Sequence, residues 1–75
     1  MKAILEFNLP EDQTDFEFAS QGSKWWSVAW NMDKWLRSQI KYAPDEMSDD
    51  KFEAFEECRE QLRELIDEYN LDLDK

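Results

Sequence analysis

The strongest constraint on this chain lies between its only glycine, Gly22, and its second proline, Pro44. Between them, Trp25, Val28, Ala29, Met32, Trp35, Leu36 and Ile40 recur at steps of three and four. That spacing gathers large apolar side chains on one face of an α-helix and makes that face the expected core. Ser23 can cap the helix at its start. The pattern runs to Lys41 or Tyr42, and Pro44 stops it, because the residue before a proline is biased away from helical geometry.

A second long helix follows. Ser48 is placed to cap it, with Asp49 and Asp50 in the first turn, where the helix dipole favours negative charge. Its expected inner face is Phe52, Phe55, Cys58, Leu62, Leu65, Ile66 and Tyr69. Upstream, Lys2 to Asn8 reads as a short strand, with Ala3, Leu5 and Phe7 alternating against Ile4, Glu6 and Asn8. Asn8-Leu9-Pro10-Glu11 then resembles a helix start, with Asn8 as cap and Glu11 completing a capping box. That helix should run to about Ser20, bury Phe16 and Ala19, and end at Gly22. The tail alternates Leu71 and Leu73 with Asp72 and Asp74, the pattern of a short strand or a frayed end. The expected fold is α+β and mainly α, ordered β-α-α-α, in one domain spanning residues 1–75.

A lone strand leaves its backbone donors and acceptors unpaired. Residues 2–8 should therefore pair either with residues 70–74 or with their own copy in a second chain. Size favours association as well. A core of 75 residues supplies only a few kcal/mol, and chains of this length commonly add disulfides, a metal or a subunit. Cys58 is the only cysteine, which excludes an internal disulfide and suits a reducing cytoplasm, and histidine is absent. That leaves a homo-oligomer or unusually good packing from the eleven aromatic residues, and the homo-oligomer is the expectation. No apolar run approaches the roughly 20 residues that span a bilayer. Glu6 interrupts the stretch where a signal peptide would continue, so a soluble cytoplasmic protein is expected.

The missing residue types narrow the chemistry. Without histidine there is no Ser-His-Asp triad, no Cys-His pair and no zinc helix. With one glycine there is neither a phosphate-binding loop nor a dinucleotide fingerprint, and Asp45–Asp50 lacks the glycine of a calcium loop. Ser38-Gln39-Ile40-Lys41 matches a penicillin-enzyme pattern by coincidence, since its partner motifs are absent. No enzyme activity, cofactor or metal is implied, and binding is the expected role.

The net charge of −10 is distributed unevenly: residues 1–22 carry −4, residues 23–44 carry +3, and residues 45–75 carry −9. Such a field repels phosphates, so direct nucleic-acid binding is not expected. Two surfaces remain as candidates. Glu53, Glu57, Glu60 and Glu64 lie on the last helix at spacings that imitate a row of phosphates, fitted to a partner protein with a basic groove. Arg59 and Arg63 interrupt that row, and ordinary solubility explains acidic helices equally well. On the middle helix, Trp26, Trp30, Lys34, Arg37 and Lys41 follow one another at four, four, three and four residues and form one stripe. Two indoles followed by three cations suit a protein interface, or a nucleotide whose base stacks while its phosphate meets the cations. Alternatively, the indoles complete the core and the cations offset the acidic helix within the same molecule.

The opening Met1-Lys2-Ala3-Ile4-Leu5-Glu6-Phe7-Asn8-Leu9-Pro10-Glu11-Asp12 resembles the start of a group of small acidic bacteriophage-encoded proteins. Trp35-Leu36-Arg37 and Lys41-Tyr42 are similar to that group too. The resemblance implies the cytoplasm of an infected bacterium and an accessory role. One such role is counter-defence, in which a host immune or nucleic-acid-acting protein is blocked by occlusion. The basic stripe offers the alternative of an oligomeric trap that sequesters a nucleotide signal, and a phage replication or assembly factor is a further one. The resemblance supplies no catalytic residue.

Overall fold

A computed structural model describes residues 1–74. Three helices follow one another in the chain: α1 (Gln13–Ser20), α2 (Gly22–Lys41) and α3 (Asp49–Glu68). No strand occurs among the described residues, so the expected β-α-α-α order is corrected to an all-α one. Residues 1–8 take no regular secondary structure, their one backbone pairing is the Asn8 carbonyl accepting from the Asp12 N–H at 2.8 Å, and Ile4 and Leu5 are exposed. Alternation alone was insufficient, because a strand forms only when a second one satisfies its backbone. The in-chain candidate, residues 70–74, is committed to closing α3.

That closure is a specific turn. Asn70 has φ 55°, the left-handed region that asparagine tolerates better than most residues. Its N–H donates to the Asp67 carbonyl, and the Leu71 N–H donates to the Ile66 carbonyl, both at 3.0 Å. This is the paired-bond ending in which a left-handed residue just past the helix redirects the chain. The redirected tail lays Leu73 against the hairpin, where it is 4% exposed.

α2 and α3 form an antiparallel hairpin joined by residues 42–48. As expected from the sequence, Ser48 caps α3, its Oγ accepting from the Lys51 N–H at 3.2 Å. The start of α1 is displaced from its expected place. Residues 9–12 form turns and the helix begins at Gln13, with Asp12 rather than Glu11 accepting from the Asn8 N–H. Gly22 does not end α1; it is the first residue of α2, and its φ is not positive. A single residue, Gln21, separates the two helices, and its carbonyl accepts from Lys24 and Trp25. Ser23 therefore lies inside α2 instead of capping it.

The interior is small. Leu36 and Leu73 are the buried apolar residues, and Asp33 is buried beside them. Phe16 and Ala19, expected in the core, are exposed, because α1 is only eight residues long and rests on α2 at one end. Phe16 meets Phe7 edge-on at 5.8 Å, which ties the N-terminal arm to α1. The radius of gyration is 17.4 Å, against about 11 Å for a compact domain of this length.

Candidate functional site

The α2–α3 contact explains what each flank of the hairpin presents. At 100° per residue, Ala29, Asp33, Leu36 and Ile40 lie along the line of α2 that faces α3. Phe52, Phe55, Arg59, Leu62 and Ile66 form the matching line on α3. The carboxylate of Asp33, 5% exposed, sits between two guanidinium groups. Arg63 donates from Nε to Oδ1 at 3.0 Å and from Nη2 to Oδ2 at 2.7 Å, and Arg59 donates from Nε to Oδ1 at 3.2 Å. Burial pushes the Asp33 carboxyl up. The hydrogen bonds and charges of Arg63 and Arg59 outweigh that effect and hold it below its ordinary value. The hydrogen bond to Asp33 in turn raises the Arg63 pKa. Arg63 also reaches Asp74 of the tail, at 3.5 Å.

This cluster was not anticipated from the sequence, although a signal was present. Asp33 stands one turn from Ala29 and Leu36 on the core line, and Arg59 and Arg63 stand on the core side of α3. An acid and two bases on facing apolar lines are a complementary set.

Its consequence for the acidic surface is direct. Arg59 and Arg63, expected to interrupt the row of glutamates, point inward to Asp33. Glu53, Glu57, Glu60 and Glu64 are all exposed on the outer side of α3. Glu57, Glu60 and Glu64 border a shared shallow depression of about 310 Å³. No cation is inserted among them.

The second stripe is also assembled as the spacing indicated. Trp26 and Trp30 stack with ring centroids 5.8 Å apart and planes at 19°, and Lys34 Nζ lies 4.3 Å over the Trp30 ring. Trp30 is half-buried, and Trp26 is 37% exposed. Lys34, Arg37 and Lys41 then border a shallow cleft of about 220 Å³ with Ser38 and Tyr42. None of these three cations forms a salt bridge among the described residues. They form no ion pair with the glutamates of α3, and Lys34 and Lys41 lie instead over the Trp30 and Tyr42 rings, at 4.3 and 5.4 Å. The two candidate surfaces stay separate, one on each helix.

A third feature departs from expectation. The apolar face of α2 spans an arc of about 140° at 100° per residue, wider than α3 alone covers. Trp25 and Val28 are each 60% exposed, Met32 50% and Trp35 51%. On α3, Cys58, Leu65 and Tyr69, also expected inside, are exposed.

No group of three or more metal-ligating side chains gathers among the described residues. No helix among them is long and apolar enough to cross a membrane. The chain matches no protein-family model, and no match was found among curated proteins or solved structures.

Proposed function

We propose that the chain is a non-catalytic binding protein that covers a basic, phosphate-binding surface of another protein with the outer face of α3. The inward turn of Arg59 and Arg63 carries this reading, because it leaves the row Glu53, Glu57, Glu60 and Glu64 unbroken. A groove built to meet phosphates attracts a rigid surface of similar charge density, and loses its nucleic acid while that surface is bound. The resemblance of the opening residues to bacteriophage proteins supplies the setting: counter-defence, with a host immune or nucleic-acid-acting protein as target.

Capture from a bacterial lysate, with and without excess duplex DNA, tests the proposal. The expected result is a stoichiometric protein that duplex DNA displaces and that a chain carrying Glu53→Lys, Glu57→Lys, Glu60→Lys and Glu64→Lys does not retain. Retention by that variant would overturn the reading.

A second reading is favoured by the stripe on α2. Three cations without carboxylate partners, following two stacked indoles, suit a nucleotide held by an oligomeric trap. Trp30 already has Trp26 one turn before it and Lys34 over its ring, so a base would meet the exposed part of Trp26. A nucleotide released on heating the purified protein, and absent after Arg37→Ala, is the expected sign of that role.

A further inference from the structure

The uncovered apolar side chains occupy one flank of the hairpin. On α2 they are Trp25, Val28, Met32 and Trp35, spaced three, four and three, which is the spacing of a coiled-coil seam. On α3 the adjoining flank carries Cys58, Leu65 and Tyr69, and the edge contact of Trp35 with Phe55 at 5.6 Å joins the two. By helical position, no aspartate or glutamate of α2 or α3 falls on this flank. In a chain with 19 acidic residues, two copies meeting along this strip bring no carboxylates of α2 or α3 face to face. Trp25, Trp35 and Tyr69 are 60%, 51% and 70% exposed. With aromatic side chains of 150–250 Å² each, they alone expose roughly 400 Å², the size at which a monomer's largest apolar patch is often functional.

The order of residues along α2 identifies the occupant. Trp25 and Trp35 lie five positions either side of Trp30, and Val28 and Met32 lie two positions either side. A second α2 running antiparallel, with its two-fold axis level with Trp30, sets Trp25 against the partner's Trp35 and Val28 against the partner's Met32. The seam is complementary to its own copy, as an isologous interface requires. We infer that this flank is a two-fold homodimer interface built on antiparallel α2 helices. The accessible surface is 6821 Å², about 1,900 Å² above the roughly 4,900 Å² of a compact protein of 9.1 kDa, and a standard interface, which takes about 800 Å² from each subunit, needs less than half of that excess. The glutamate row and the basic stripe of each copy stay outward.

Sedimentation equilibrium of the full chain at about 100 µM, a concentration that populates even micromolar dimers, is the test. The expected mass is about 18 kDa, twice the 9.1 kDa chain, falling to 9.1 kDa in the double variant Val28→Glu, Met32→Glu with unchanged helical circular dichroism. Both residues are exposed in the single chain, so the change removes no core contact. If the double variant loses helix, Met32→Gln decides instead: the dimer should dissociate at least tenfold more readily. A 9.1 kDa wild type would overturn the inference, as would a dimer indifferent to these substitutions.

Discussion

Arg63 holds Asp33 with two hydrogen bonds, of 3.0 and 2.7 Å, across the α2–α3 contact, 30 residues apart in the chain. This fork-on-carboxylate pair fixes the register of the hairpin, and through Asp74 it also anchors the tail. Asp33→Asn keeps the shape but leaves two guanidinium groups facing a neutral amide. The arginine side chains are 34% and 36% exposed, so the cost is below that of a fully buried pair. A loss of roughly 2 kcal/mol in urea unfolding is expected.

The same pair sets an acid limb. The Asp33 carboxyl is held below its ordinary value in the folded chain and returns to about 3.9 on unfolding. Its contribution is therefore present above about pH 4 and is lost as pH falls below that, through the folded value. Wild type and Asp33→Asn should converge in stability on acidification through this window. A difference as large at pH 2 as at pH 7 would show that the gap is not electrostatic.

Leu73→Ala tests the tail. Leu73 is 4% exposed and closes an apolar cleft bordered by Trp25, Trp26, Ala29 and Ile66. Removing three carbons from so small a core should cost about 2–3 kcal/mol, read as a lower denaturant midpoint. If the tail were merely frayed, the midpoint would not move.

Gly22→Ala has opposite signs under the two descriptions of the α1–α2 junction. As a left-handed helix ending, Gly22 would resist alanine at a cost of about 1 kcal/mol. In α2 its φ is not positive, and an added Cβ meets nothing within 4 Å. Alanine should then stabilise the chain by about 0.5 kcal/mol through the unfolded state. Thermal unfolding distinguishes the two.

The long helices were legible because their signals are local. Ser48 caps, Pro44 stops, and the three-and-four spacing needs no partner to be recognised. The N-terminal strand was not legible, because its existence depends on a neighbour that the tail does not supply once Asn70 turns the chain. Burial was misjudged for a related reason. Apolar spacing shows that Trp25, Val28, Met32 and Trp35 require cover, but not whether α1 is long enough to provide it. On the candidate surfaces, the glutamate row and the basic stripe followed from spacing alone. The emptying of cations from the outer face of α3 did not, since it depends on Arg59 and Arg63 reaching Asp33 in another helix.

The most direct measurement compares affinity for the captured protein among wild type, Arg37→Ala and a variant with glutamine at Glu53, Glu57, Glu60 and Glu64. Glutamine keeps the shape of each side chain and removes its charge. If α3 imitates phosphates, the glutamine variant should bind on the order of 100-fold more weakly, Arg37→Ala should bind as wild type, and added salt should weaken wild type most. Undiminished binding by the glutamine variant, with loss in Arg37→Ala, would contradict the role of α3 and transfer it to the basic stripe of α2.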